Sequence, residues 1–287
     1  MPAYLFTSIL QNYLTDFKIT GTSAVGGGSI NNASKVTTDK GIFFIKTYKA
    51  KKDFFEAEAK GLQLLRTANE LLLPEVIGYG EAEGLAYLVL EYIETGSRNR
   101  NFWKDFGHKL AVLHNHSNPQ FGLEYNNYIG SLHQQNTFTD NWVDFFIHQR
   151  IQPQLDLAKK HSLITTQLLT DFDSLFKQLN NIMPSLQPSL VHGDLWSGNF
   201  LVNSNSESVL IDPAVYYGNR EMEIAYTMLF GGFDEEFYES YSEVYELTSD
   251  FYTQRTDIYN LYHLLNHLNL FGKGYLGSIE QIVKNYR

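Results

Sequence analysis

The chain has 287 residues, 43% of them apolar, enough for one large domain or two lobes around a sizeable core. Its 22 Lys and Arg against 32 Asp and Glu give a net charge of −10, which disfavours nucleic acid and anionic membrane as main partners because both reward a basic face. The lack of cysteine excludes a disulfide framework and thiolate chemistry. With no apolar run near the roughly 20 residues that span a bilayer, and no basic segment in M-P-A-Y-L-F-T-S-I-L at the start, the expectation is a cytosolic protein.

Leu5, Ile9, Leu10, Tyr13 and Leu14 recur at helical spacing, so a short amphipathic helix is expected first. Residues 18–25 and 30–38 read as strands on either side of Gly26, Gly27, Gly28 and Ser29. Strand, glycine run, strand is a layout that lets backbone N–H groups approach phosphate oxygens. The spacing here is neither G-x-G-x-x-G nor a Walker motif, and a flexible hairpin turn has the same composition. The turn Thr38-Asp39-Lys40-Gly41 leads into a strand over 42–46 that ends on Lys46, a position from which an ammonium group can reach α- and β-phosphates. A helix over 52–66 follows, with Phe55, Ala59, Leu62 and Leu65 apolar. Glu56 and Glu58 both lie on it as partners for Lys46, and Glu58 is preferred because it stands about a turn before Leu62, close to the apolar stripe. Strands over 74–79 and 85–91, joined at Glu83-Gly84, run into the polar stretch 94–101. That stretch divides a nucleotide-binding lobe, 1–93, from a helical lobe, 94–287. Glu91, Tyr92 and Ile93 are placed to present bare backbone groups to an adenine edge.

From Phe102 the pattern turns helical, with Phe106, Leu110 and Leu113 on the same face. His114 and His116 close that run. Two residues apart, they do not share a helical face, which points to structural roles rather than metal binding. Residues 118–136 read as loop, and 142–151 and 166–183 as helices. Beyond a loop over 213–219, the chain reads as a helix over 221–230. An acidic stretch over 233–252 follows, with Phe237, Tyr241 and Tyr245 as its inner stripe. A last apolar helix over 259–270 contains Asn266 and His267, read as satisfied polar groups of a helix interface. A strand-rich first third ahead of a helical remainder is an α+β plan of two lobes, with the nucleotide expected in the crevice between them.

The chemistry is carried by residues 191–200, V-H-G-D-L-W-S-G-N-F, and by Asp212 in V-L-I-D-P. Kinase-type phosphoryl transfer needs one carboxylate to accept the proton of an attacking hydroxyl. It also needs hard oxygen ligands to hold Mg²⁺ on the nucleotide phosphates. Asp194 suits the first role, and Asn199 with Asp212 the second.

The layout H-G-D-x-x-x-x-N…D resembles the aminoglycoside-phosphotransferase branch of the protein-kinase-like fold, and the fuller H-G-D-L-W-S-G-N is similar to the fructosamine (ketosamine) kinase family. G-G-G-S-I, F-F-I-K, E-A-K-G-L, L-V-L-E-Y, G-N-R-E-M-E-I-A-Y-T-M-L-F-G-G and N-H-L-N-L-F-G extend the resemblance over almost the whole chain. It implies a two-lobed protein-kinase-like fold with a small antiparallel-sheet N-lobe and a larger, mainly helical C-lobe. It also implies ATP and Mg²⁺ as cofactors, a sugar hydroxyl of a ketosamine as acceptor, and deglycation of small amines or glycated proteins in the cytoplasm. By the same resemblance Asp194 is the base, Asn199 and Asp212 ligate Mg²⁺, and Lys46 with Glu58 holds phosphates that Gly26–Ser29 cover, while His192 supports the loop. Trp196 either stacks on a sugar face or a cationic amine or anchors the loop. Arg220 and Glu223 read as a structural ion pair, with substrate contact as the alternative. The chain departs from protein kinases in its glycine spacing, in Pro213 where they have Phe-Gly, and in lacking A-P-E. A kinase of another small amine or alcohol, aminoglycoside- or choline-like, and an inactive binding module of the same fold are the competing expectations.

Overall fold

The structure is a computed structural model that describes residues 3–26, 31–49 and 52–287. The chain divides into two compact units, each assembled from two segments: Met1–Phe102 with Gly198–Pro213, and Trp103–Ser197 with Ala214–Arg287. Residues 94–102 and 198–213 thus group with the N-terminal unit, whereas a boundary at 93/94 assigns them to the other.

In the first unit, α1 (Ala3–Leu10), β1 (Ile19–Val25), β2 (Asn32–Thr38) and β3 (Gly41–Tyr48) precede α2 (Asp53–Ala68), β4 (Val76–Ala82) and β5 (Leu85–Glu91). The strands form an antiparallel five-stranded sheet in the order β1-β2-β3-β5-β4. Side chains alternate between the faces of a strand. Val36, Phe43, Ile45, Tyr87 and Val89 accordingly form one cluster with Leu5, Phe6, Ile9 and Leu10 of α1. Lys46, one step beyond Ile45, turns to the opposite face and meets α2 through Glu58. There α2 buries Phe55, Ala59, Leu62 and Leu65 and ends on Asn69 in the left-handed conformation.

A hairpin completes this unit. Phe200–Val202 pairs with Ser208–Leu210, and two backbone bonds dock it on its neighbours. Leu210 N–H donates to Leu72 O at 2.9 Å, and Gly96 N–H donates to Val202 O at 2.8 Å. Those bonds tie both 94–102 and 198–213 to the first unit.

The second unit is mainly helical. It starts within α3 (Phe102–Leu113) and contains α4 (Trp142–Phe145), which passes through a π-helical turn, Phe146–Ile151, into α5 (Gln152–Lys160). Then come α6 (Thr166–Phe176), α7 (Leu179–Ile182), α8 (Arg220–Leu229), α9 (Glu235–Ser242), α10 (Thr256–Phe271) and α11 (Leu276–Lys284). Side-chain caps start four of them, at Asn141, Thr165, Asn219 and Asp234. The stretch 118–136 is not all loop, because Asn127–Ile129 pairs with Leu132–Gln134. Helix α10 packs against α8, α5 and α11, and its run from Ile258 to Leu265 is buried throughout, polar Asn260 and His263 included. Close helix approach also selects Gly107, where a Cβ would stand 2.2 Å from the carbonyl oxygen of Phe237.

Candidate active site

On the first unit, strand alternation and helix α2 bring three charged groups together. Lys46 Nζ donates to Glu58 Oε1 at 2.7 Å and to Asp212 Oδ1 at 2.8 Å. Burial opposes the ammonium charge, but Asp212 and Glu58 outweigh it and hold Lys46 above its ordinary value. Burial, with the charge of Asp212 behind it, pushes Glu58 up against the pull of Lys46. Two carboxylates therefore share one cation. Of the two acids on α2, Glu56 points elsewhere and pairs with Lys60 at 2.8 Å, one turn along the same helix.

The hairpin explains how Asn199 and Asp212 come together from thirteen residues apart. Leu210 pairs with Phe200, and Ile211 N–H donates to Asn199 O at 3.1 Å. The antiparallel ladder thus places both candidate ligands at its open end. Asn199 is buried, and Asp212 takes a left-handed backbone (φ 56°) that is uncommon outside glycine. Gly26 is exposed; Gly27, Gly28 and Ser29 lie outside the described residues. At the end of β5, Glu91 N–H donates to Glu75 O at 2.9 Å and the Glu91 carboxylate accepts Glu75 N–H at 3.1 Å. Tyr92 carries the Lys35 ammonium 4.2 Å above its ring, and Ile93 is half-buried.

On the second unit, Ser189–Val191 pairs with Tyr216–Gly218 and delivers His192-Gly193-Asp194 at the strand end. Gly193 has φ +83°, and a Cβ there would stand 2.1 Å from Ala214 O, so only glycine fits. The loop is gripped by Glu223 of α8. Its Oε2 accepts His192 N–H at 3.1 Å and its Oε1 accepts Gly193 N–H at 2.7 Å. His114 Nε2 bonds Oε2 at 2.8 Å, and His114 Nδ1 meets the Tyr241 hydroxyl at 2.8 Å. Burial works against the Glu223 charge, yet the bonds from His114 and Gly193 and the nearby His192 hold the carboxyl below its ordinary range. The Arg220–Glu223 pair read from the sequence does not form. Arg220 lies 3.8 Å over the Tyr245 ring, and Glu223 is committed to the loop.

Asp194 is half-buried, and its N–H donates to His192 Nδ1 at 3.3 Å. Tyr226 lies on the same face of α8 as Glu223, near the Asp194 carboxylate. Burial and that carboxylate push Tyr226 well above the usual phenol range. Trp196 is half-buried, with its ring edge-on to Phe230 at a centroid distance of 6.4 Å. The sequence reading singles out neither His114 as a support of Glu223 nor Tyr226. The one available signal is an acid, Glu223, set between Met222 and Ile224 on a helix otherwise apolar at those positions.

Comparisons with known proteins give the family and the fold. The family model for fructosamine kinase matches residues 3–287. A protein of Enterococcus faecium named "probable ketoamine kinase" is 38% identical over 282 residues, covering 96% of this chain and 99% of its own. The chloroplastic protein-ribulosamine 3-kinase of Arabidopsis thaliana is 38% identical over 94% of this chain and 83% of its own. Among solved structures, a fructosamine-3-kinase candidate from Haemophilus somnus has a TM-score of 0.87 and 27% identity, covering 98% of this chain and 97% of its own. The aminoglycoside phosphotransferase APH(4)-Ia has a TM-score of 0.65 at 15% identity over 98% of both chains, a likeness of fold alone. The fold is the α+β protein-kinase-like fold, its antiparallel sheet in the first unit and its helices mainly in the second.

Proposed function

The chain belongs to the fructosamine kinase family, and from that premise we propose that it transfers the γ-phosphoryl group of ATP to a sugar hydroxyl of a ketosamine. The observation that carries phosphoryl transfer is the buried Lys46 held between Glu58 and Asp212. A cation fixed in this way has its charge preserved and its position set before any phosphate arrives. Asp194 is the group that accepts the acceptor's proton as its oxygen bonds the γ-phosphorus and the bond to ADP breaks. Its backbone is held by His192, and its loop by Glu223.

The donor set fits Mg²⁺. Asn199 and Asp212, which carry an amide and a carboxylate oxygen, stand at one end of a hairpin, and such a metal takes few protein ligands beside substrate phosphates. When bound, Mg²⁺ would neutralise phosphate charge there. In this reading Lys46 contacts the phosphates, Gly26, Gly27, Gly28 and Ser29 cover them, and Glu91, Tyr92 and Ile93 border the adenine. Trp196 offers a ring to the sugar or to the adduct's cationic nitrogen. A free ketosamine or a glycated protein supplies the acceptor, and the implied role is deglycation. ATP use goes with a cytoplasmic location, and among the described residues no helix is long and apolar enough to cross a membrane.

The test is ATP consumption against fructosyl-lysine, ribulosyl-lysine, an aminoglycoside and choline. Turnover with the two ketosamines is expected, together with its loss in Asp194→Asn while Mg-ATP binding persists. Preference for the aminoglycoside or choline would overturn the acceptor assignment, and retained turnover in Asp194→Asn would overturn the base.

A further inference from the structure

Glu223 can hold the Asp194 loop only if its own carboxylate is held. Rotation about the last side-chain bond of a glutamate is broad and nearly two-fold, so a donor from outside the loop is needed to give its oxygens a direction. His114 is such a donor. Its Nε2 lies 2.8 Å from Oε2, the oxygen that also accepts His192 N–H, while Oε1 accepts Gly193 N–H. His114, Glu223 and Tyr241 are all buried.

We propose that His114 is a positioning residue of the catalytic loop and acts through Glu223. Its Nε2–H sets the direction of the carboxylate that grips His192 and Gly193, and with it the place of Asp194. The chemistry fixes which ring nitrogen does this. An ionised carboxylate only accepts, so Nε2 carries the hydrogen. Nδ1, on the other edge of the ring, meets the Tyr241 hydroxyl at 2.8 Å.

The ring is itself placed by the contact of α3 with α9. His114 continues α3, its N–H donating to Leu110 O at 3.0 Å. Gly107, two turns earlier on the same face, lets the carbonyl oxygen of Phe237 come close, and Ser240 Oγ donates to Lys104 O at 2.7 Å. Tyr241 follows Ser240 and stands one turn beyond Phe237, so the same two faces meet again at His114. Two helices thereby aim one imidazole edge at Glu223. A histidine that only filled this space would serve equally by either edge. The edges can be separated, because a glutamine amide reaches about where Nε2 lies and an asparagine amide about where Nδ1 lies. Tyr259 gives a contrast. It too is buried, and its hydroxyl bonds Glu221 at 3.1 Å, in the ion pair of Glu221 with Arg255, which holds α8 to α10 and does not touch the loop.

This inference rests on Asp194 being the base, so the experiment separates the two. His114→Asn, His114→Gln, Tyr259→Phe and Asp194→Asn are compared with the unaltered chain in thermal unfolding and in steady-state turnover of a ketosamine below the lowest Tm of the set. His114→Asn is expected to lower kcat about tenfold or more with KM for ATP within about twofold, and His114→Gln to restore kcat to within about threefold of the parent. Tyr259→Phe is expected to lower Tm and leave kcat in place. Equal kcat in the two His114 variants, or a kcat that simply follows Tm across them and Tyr259→Phe, overturns the positioning role. If His114→Asn does not fold, His114→Gln decides alone: kcat within about threefold supports the Nε2 bond, and a fall of about tenfold overturns it. Turnover kept in Asp194→Asn overturns the base and this inference with it; a dead Asp194→Asn beside two fully active His114 variants overturns the inference alone.

Discussion

Replacing Glu223 by Gln tests the reasoning about the loop most directly, because it preserves shape and removes one acceptor. The carboxylate takes three donors on two oxygens: His192 N–H and His114 Nε2 on one, Gly193 N–H on the other. A glutamine amide keeps one accepting oxygen. If that oxygen stays with His192 and His114, its NH₂ group faces Gly193 N–H, donor against donor. The loss is one hydrogen bond to a charged group, and a buried backbone N–H is left without an acceptor. Each of those costs about 1–3 kcal/mol, and they overlap, so a destabilisation of about 3 kcal/mol is expected. For a chain of this size that lowers Tm by about 5 °C. A shift of the loop by a fraction of an ångström also moves Asp194, and kcat is expected to fall at least about tenfold. Circular dichroism melts and initial-rate kinetics on the same preparation measure both. A Tm within about 1 °C of the parent would refute the hydrogen-bond account. A lowered Tm with full kcat would show that turnover does not depend on how Glu223 sets the loop.

Gly193→Ala is expected to lower kcat at least about a hundredfold, since the new Cβ would stand 2.1 Å from Ala214 O on a backbone at φ +83°; turnover within twofold of the parent would contradict that geometry. Burial holds His263 well below the ordinary imidazole value, and His267 is lowered in the same direction. The unfolded chain therefore takes up protons below about pH 6.5 that the native chain refuses. Stability is full above that pH and is lost as pH falls toward the folded value, by up to about 1.4 kcal/mol per pH unit for His263. Urea midpoints between about pH 6.5 and 5 should slope less steeply in His263→Phe, and an unchanged slope would mean that the native imidazole does accept the proton.

The parts of the site that follow from local periodicity were legible in the sequence. A basic residue on a strand and an acid near the apolar stripe of the next helix are enough to bring Lys46 to Glu58, although the strand runs on to Tyr48 instead of ending on Lys46. Asn199 and Asp212 are paired in the sequence by their spacing alone, and the short hairpin that brings them to one end is not read there. What was not legible depends on packing between distant helices. His114 and Glu223 are 109 positions apart, and nothing in either local pattern shows that they share a hydrogen bond. Arg220 and Glu223 are close in sequence with opposite charges, yet the ring of Tyr245 and the loop N–H groups compete successfully for them. The boundary at 93/94 follows composition, whereas the hydrogen bonds of Gly96 and Leu210 follow the sheet. The helix Leu276–Lys284 is missing from the sequence reading, although Leu276, Ile279 and Val283 recur at helical spacing and Ile279 and Val283 are buried.

The docking of 198–213 on the N-terminal unit has a consequence for the growing chain. Residues up to Phe102 leave the ribosome first, but the hairpin that completes their unit is made roughly ninety residues later. At about 5–20 residues per second that is an interval of roughly five to twenty seconds. Throughout it, Leu72 O and Gly96 N–H lack the partners they find in Leu210 and Val202. The sheet can form early, but Asp212 reaches Lys46 only after the whole of the second unit's first segment has been made. The charged triad is therefore a late event in the birth of the molecule, and a chain interrupted before residue 212 carries Lys46 and Glu58 without it.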